Sequence, residues 1–189
     1  MLVTEEIKQL QQKICAENSE DAFGQLFMAF LPNLTSFAQS IIRNKELSEE
    51  IVSDVFIKVW QYRENLCKID NLKLYLYVSI KNTAFNYLSR HYRKEMIAID
   101  DMSLESISIQ NNPEELLITS EALNRINTAI KMLPPRCKVI FKLAKEDGLK
   151  YSEIAQLLNI SVNTIDNQMA IAVKKIAAAI NFDLRKESR

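Results

Sequence analysis

The chain of 189 residues is poor in helix breakers: it has two glycines, Gly24 and Gly148, and four prolines. So few breakers, with long patterns of period 3.6 and no sustained alternation, predict an all-α protein. The same scarcity leaves nothing from which to build a P-loop or a dinucleotide fingerprint. Histidine is almost missing, and a lone His91 argues against a histidine-based metal site. The three cysteines, Cys15, Cys67 and Cys137, are far apart, odd in number and without CxxC spacing. They read as reduced thiols in a cytoplasmic protein, not as a disulfide frame or a zinc site. No apolar run approaches the roughly 18 residues of a membrane span, and the opening MLVTEEIKQLQQK is no signal peptide. No nucleophile, base or metal site is clustered, so neither an enzyme nor a cofactor or small-molecule substrate is expected.

Net charge is zero, which at first sight argues against nucleic acid. The distribution says otherwise. From Asn71 to Lys94 there are five basic residues (Lys73, Lys81, Arg90, Arg93, Lys94) and no acidic one. From Glu95 to Glu121 there are seven acidic residues and no basic one. From Ala122 onward Lys and Arg outnumber Asp and Glu by twelve to six. Two basic blocks flank an acidic connector, and a polyanion responds to such local fields more than to the total.

Gly148 to Ile176 reads as two short helices joined by a tight turn. Ile154, Leu157 and Leu158 share one face of the first. Asn159 suits a left-handed turn position, and Ser161 can cap the second helix with its hydroxyl. Ile165, Met169, Ala172, Val173 and Ile176 give that helix an inward stripe, leaving Asn163, Asp166, Asn167 and Gln168 outside near its start. The pattern is a helix-turn-helix, whose second helix presents its first turns to base edges in the major groove. An ordinary helical hairpin fits the same spacing.

Upstream, Thr4 to about Asn18 forms a helix with Ile7, Leu10 and Ile14 on one side. Asp21 to Arg43 repeats Phe23, Phe27, Phe30, Leu34, Phe37 and Ile41 across Pro32, which is expected to kink or split the helix. Leu47 to Arg63 follows, with Ser48 as the expected cap and two apolar rows, Leu47/Ile51/Val55/Val59 and Val52/Phe56/Trp60. That face is wider than one surface helix requires. Either all of it is core, or the outer row with Asp54 beside it also meets a partner. Glu64 to Asn71 is a loop. Leu72 to about Lys94 buries Leu72, Leu76, Ile80, Ala84 and Leu88. Its other sides carry Lys73, Tyr77 and Lys81, then Asn82, Asn86, Arg90 and Arg93, with Tyr75, Tyr87 and Tyr92 interleaved. Rings among cations suit single-stranded nucleic acid, where bases stack while Lys and Arg hold phosphates. A solvated basic face with tyrosines half in the core is the alternative. The division expected is a helical bundle over 1–95, a flexible acidic linker over 96–120 and a helix-turn-helix domain over 121–189. In the last, helices run from Glu121 to Met132 and from Arg136 to Lys145 ahead of the motif.

These pieces in this order resemble a sigma-70-type RNA polymerase sigma factor of the small extracytoplasmic-function group, which keeps only regions two and four. The resemblance is carried by SEEIVSDVFIKVW (Ser48–Trp60), IKNTAFNYLSRHYRK (Ile80–Lys94) and LPPRCKVIFKL (Leu133–Leu143), followed by Tyr151-Ser-Glu-Ile-Ala155 and Ser161-Val-Asn-Thr-Ile165. It implies a dissociable specificity subunit. Ile51, Asp54, Val55, Phe56, Val59 and Trp60 would dock on the β′ clamp of core polymerase, and region four would meet the β flap. Lys73, Tyr75, Tyr77, Lys81, Asn82, Asn86, Arg90 and Arg93 would contact the −10 element, with the loop Leu66–Asn71 as the pocket for a flipped base. Ser161, Asn163, Thr164, Asp166, Asn167, Gln168 and Lys174 would read the −35 element. The acidic linker would thread polymerase channels near nascent RNA. A membrane-tied anti-sigma protein is the regulator the family implies. Asp166, Gln168 and Ile171 stand where many members carry cations, so phosphate anchoring is weaker here. Lys150 replaces the usual Ser or Thr cap. The run Thr164-Ile-Asp-Asn-Gln168 looks like the Bacteroides-type expansion of the family. A stand-alone helix-turn-helix regulator is the other reading of the same residues.

Overall fold

A computed structural model describes residues 3–91 and 121–187, with side chains over 3–90 and 126–178. The described residues contain helices and no strand: α1 (Thr4–Glu17), α2 (Glu20–Ile42), α3 (Lys45–Gln61), a 3-10 segment (Arg63–Lys68), α4 (Leu72–His91), α5 (Glu121–Lys131), α6 (Pro135–Lys145), α7 (Tyr151–Leu158) and α8 (Val162–Glu187). They fall in two compact units, Met1–Asp101 and Met102–Arg189. The segment expected as a linker, 96–120, lies outside the described residues, as do Tyr92 and Arg93.

In the first unit α2 opens on Ser19, whose hydroxyl accepts from the Ala22 amide at 3.2 Å. It runs unbroken through Pro32 to a left-handed Arg43. The expected split at the proline does not occur: tertiary packing along Leu26, Phe30, Leu34 and Phe37, all buried, holds the helix past the missing N–H. The cap of α3 is Asn44, whose side chain accepts from Leu47 N–H at 2.9 Å. Ser48, expected there, lies inside the helix, with its hydroxyl donating to the Asn44 carbonyl at 2.6 Å. The two-residue connection folds α3 back on α2. Phe23 meets Trp60 with ring centroids 4.9 Å apart, and Phe27 meets Phe56 at the same separation. Descending numbers against ascending ones make the pair antiparallel. Helix α4 packs on both α2 and α3, and its Tyr77 reaches Phe37 at 5.2 Å.

The expected loop after α3 is instead a 3-10 turn with Leu66 buried at its centre. Helix α1 covers it. Gln11 donates its side-chain amide to the carbonyls of Leu66 and, at 2.8 Å, Ile69. The expected Ile7, Leu10 and Ile14 form the rest of that buried face.

In the second unit, Pro135 begins α6 at a position where its missing N–H costs nothing. The chain leaves α6 through Gly148 at φ 64°, and Leu149 N–H closes on the Leu143 carbonyl at 2.9 Å. That left-handed turn favours glycine and delivers buried Leu149 back to the core. Asn159, at φ 53° and ψ 49°, ends α7 as the spacing requires. Lys150 gives α7 no side-chain cap, and Glu153 compensates by accepting from the Lys150 amide at 2.7 Å. Ser161 caps α8 by accepting from Thr164 N–H at 3.0 Å. Helix α8 packs on α5, α6 and α7. Its inward stripe is Ile165, Met169 and Ala172 with half-buried Ile176. Val173, expected in that stripe, is 55% exposed, because the three partner helices leave its side of α8 uncovered.

Candidate nucleic-acid interface

Three helix faces carry the residues picked from the sequence. On α4 the apolar stripe Leu72, Leu76, Ile80, Ala84 and Leu88 is buried. Two adjoining rows behave differently. Tyr77, a candidate for DNA contact, is 1% exposed and stacks in the core against Phe37. It follows Leu76 by one position and precedes Ile80 by three, so the close approach of α2 takes it in. That corrects the assignment of Tyr77 to the nucleic-acid surface, and Lys73 and Lys81 stand half-buried on either side of it. Tyr75, Asn82, Asn86 and Arg90 remain outside. Spacings of seven, four and four put them on one side of α4, along about 22 Å of axis at 1.5 Å per residue. Asn71 opens the helix, accepting from Leu74 N–H at 3.0 Å.

On α3 both apolar rows turn inward. Ile51, Val55, Phe56 and Val59 are each at most 3% exposed, packed between α2 and α4. The expectation that these four offer themselves to a partner is therefore corrected: two flanking helices consume the wide face. Trp60 is half-buried, with Phe23 against its ring and the Arg63 guanidinium 4.8 Å from its centroid. Asp54 is exposed. Beside it, three residues on, Ile57 is 55% exposed and belongs to neither apolar row. The signal for that exposure was available in the sequence, since an isoleucine opposite two complete apolar rows has no core to enter. Glu50, Asp54, Ile57 and Gln61 line that outer side.

On α8 the structure exposes Ser161, Asn163, Asp166, Asn167 and Lys174 and half-buries Thr164 and Gln168. Asn163, Asp166, Asn167, Ala170 and Lys174 recur at three, four and seven, which makes one continuous face. Asp166 lines an open groove of about 500 Å³ with Lys145, Tyr151, Met169, Ala170, Val173 and Lys174. The ammonium groups of Lys145 and Lys174 share that lining with the carboxylate. Beneath this face, Cys137 donates its thiol to the Gln168 carbonyl at 3.2 Å, tying α6 to α8. Burial pushes the Cys137 thiol up, with Lys175 opposing. Its neighbour Lys138 is buried, and burial first, then Lys142 and Lys131, lowers its ammonium below the ordinary lysine value.

No group of three or more His, Cys, Asp or Glu able to hold a metal ion occurs among the described residues. None of the described helices is long and apolar enough to cross a membrane.

Comparison with known proteins places two family models on the chain in order: sigma-70 region 2 over residues 26–94 and sigma-70 region 4 over residues 123–176. Among characterised proteins, the chain is 24% identical over 173 residues to the ECF RNA polymerase sigma-E factor of Escherichia coli. That match covers 86% of this chain and 90% of that protein. It is 22% identical to the RNA polymerase sigma-H factor of Pseudomonas aeruginosa, covering 98% of this chain and 100% of the other. Two solved structures share the fold. One is CnrH in complex with the cytosolic domain of CnrY (TM-score 0.51, 20% identity, 94% of this chain and 99% of the other). The second is the sigma factor RpoE in complex with the anti-sigma factor NepR from Bartonella quintana (TM-score 0.54, 22% identity, 85% and 98%).

Proposed function

Because the chain belongs to the sigma-70 family of RNA polymerase sigma factors, in its extracytoplasmic-function group, we propose that it binds core polymerase and directs promoter-specific initiation. The observation that carries this is the order of the two matched regions, each with an exposed helix face of the right chemistry. Helix α4 presents Tyr75, Asn82, Asn86 and Arg90, a ring, two amides and a cation, to unpaired bases and phosphates of the −10 element. Helix α8 presents Asn163, Asp166 and Asn167 to base edges of the −35 element, with Lys174 toward phosphate. The amides suit adenine and the carboxylate suits cytosine N4. Arg93 and the acidic segment 96–120 keep the roles that the family resemblance gives them, phosphate contact and passage through polymerase channels.

Docking on the β′ clamp falls to the outer side of α3. Asp54 and Ile57, with the half-buried edge of Trp60, make an apolar anchor with an acidic neighbour, a combination that fits a basic partner surface. Region four meets the β flap. The protein does no covalent chemistry: trapping unstacked bases supplies the energy that helps open the duplex. It works in the cytoplasm, where the polymerase is. The likeness of the run Thr164-Ile-Asp-Asn-Gln168 supports a place in the Bacteroides-type expansion. The two solved relatives are held by CnrY and by the anti-sigma factor NepR. By the same token this chain is held by an anti-sigma protein, to which the family resemblance adds a tie to the membrane.

Co-purification with core polymerase, followed by transcription from a pool of random promoters, tests the proposal. The expected result is a stoichiometric complex and transcripts sharing two spaced elements. A chain that ignored core polymerase and gripped a palindromic duplex unaided would be a free-standing helix-turn-helix regulator instead.

A further inference from the structure

Cys15 and Cys67 are separated by fifty-one residues in sequence, yet α1 and the 3-10 segment bring them together. The interface is built from one row of α1 and the left-handed Asn18 that ends it. Gln11 holds the carbonyls of Leu66 and Ile69, Cys15 donates to the Glu64 carbonyl at 3.3 Å, and Asn18 accepts from Arg63 Nε at 2.7 Å. Cys67 returns the contact, its thiol lying 3.9 Å from the Gln11 carbonyl. The arrangement is reciprocal. In an α-helix the Gln11 carbonyl is the one that Cys15 N–H bonds, and in a 3-10 turn the Glu64 carbonyl is the one that Cys67 N–H bonds. Each sulfur therefore rests on the peptide group hydrogen-bonded to the other cysteine's own amide. The neighbouring Cys15 side chain first, then burial, pushes the Cys67 thiol up. Cys67 is exposed and Cys15 half-buried, so a small oxidant reaches the pair from solvent.

We propose that Cys15 and Cys67 form a paired-thiol site that a hydroperoxide oxidises to an intramolecular disulfide, fastening α1 to the segment that leads into α4. In the first step the thiolate form of one cysteine, made scarcer at Cys67 by its raised pKa, attacks the peroxide, so oxidation quickens as pH rises. The O–O bond breaks, a sulfenic acid forms and the leaving oxygen departs as water or alcohol after protonation. In the second step the other sulfur attacks the sulfenic sulfur, the S–S bond forms and water leaves with the remaining proton. Two electrons pass from the thiols to one peroxide, so the balance closes without another reactant. Disulfides in a reducing compartment are transient and signalling in character, which is the role this pair suits. Because the bond would link residues far apart in sequence, it restricts the unfolded chain strongly, and the oxidised first unit melts higher than the reduced one. The inference does not depend on the assignment to polymerase.

The test uses the full chain, reduced and then exposed to hydrogen peroxide at micromolar protein concentration. Titration of the denatured product is expected to fall from three free thiols to one. Peptide mapping is expected to join the Cys15 and Cys67 peptides and leave Cys137 free. The rate per molecule is expected to be independent of protein concentration, as ring closure requires. Cys67→Ser, at an exposed position, is expected to leave a sulfenic acid on Cys15 that dimedone traps, and to abolish the rise in melting temperature. Cys137→Ser is expected to oxidise like the parent chain. Bonds that involve Cys137, bonds formed only between molecules, or a melting temperature unchanged or lowered by oxidation would each overturn the proposal.

Discussion

Lys138 occupies an awkward place for a charged side chain, buried in α6 with Lys142 and Lys131 as its charged neighbours. Its folded-state pKa is lowered, so the unfolded chain binds more protons in the window between that value and the ordinary lysine value near about 10.4. Stability from this group therefore rises with pH across that window and is lowest below it. Adjacent Cys137 has the opposite sign, because its raised folded value makes stability fall once the unfolded thiol ionises. Lys138→Met is expected to stabilise the second unit by on the order of 1 kcal/mol at neutral pH, since a buried charge gives way to an apolar group of similar length. Denaturant melts of the second unit from pH 7 to 10 would then lose the rise and keep the decline due to Cys137. A rise with pH that survived the substitution would mean another group is responsible. Asn167 gives a residue-scale test of base reading. If its exposed amide contacts a base, Asn167→Ala changes preference at one upstream promoter position by about 1–3 kcal/mol, and selection from randomised −35 elements measures it. Uniform weakening across sequences would show that it touches only backbone. Sequence spacing identified Asn163, Asp166, Asn167 and Gln168 as outward; the first three are exposed and Gln168 is half-buried. It could not separate Tyr75 from Tyr77, because which flank of an apolar stripe is covered depends on where the neighbouring helices lie.

At the level of the helix, α3 shows where periodicity stops being informative. Its two apolar rows were plain in the sequence, and so was the helix. Whether the second row faced a core or a partner was a question about α2 and α4, whose approach no local pattern encodes. The aromatic ladder of α2 answers it: Phe23 and Phe27 need Phe56 and Trp60 to pack against. The same reasoning separates two substitutions one position apart. Phe56→Ala leaves a cavity between α2 and α3 and is expected to destabilise the first unit by about 3–5 kcal/mol, enough to unfold much of it. Ile57→Asp removes an exposed side chain, so the thermal melt should stay within about 0.5 kcal/mol of the parent. Its effect should fall on polymerase, with affinity reduced at least tenfold in a pull-down or fluorescence titration. An Ile57→Asp chain that melts normally and still binds core fully would move the docking surface off α3. Capping shows a similar division. Asn159 and Ser161 were legible because the turn chemistry is local, while Asn44 took the place of Ser48 because packing set where α3 could begin.

For the molecule as a whole, the two-part organisation was legible in the alternation of basic, acidic and basic segments, because charge needs no tertiary context to be counted. A zero total charge with local excesses has a consequence for binding. Each proposed DNA-contacting face carries few exposed cations, so each unit alone is expected to bind DNA weakly and to lose hold as salt rises. Joining them makes the second contact intramolecular, at an effective concentration set by the connecting chain, provided polymerase fixes the distance between the two DNA elements. The connection should therefore matter even where neither half does. Residues 1–95 and 121–189 supplied as separate chains, each able to dock on core polymerase, are expected to support promoter-specific initiation about 10²–10⁴-fold less well than the intact chain at equal nanomolar concentration. Run-off transcription measures this directly, and raising both halves toward millimolar levels should recover much of the loss. Equal output from the separated halves at nanomolar concentration would show that polymerase alone provides the coupling, leaving the segment between the units no part in holding the second reader to the promoter.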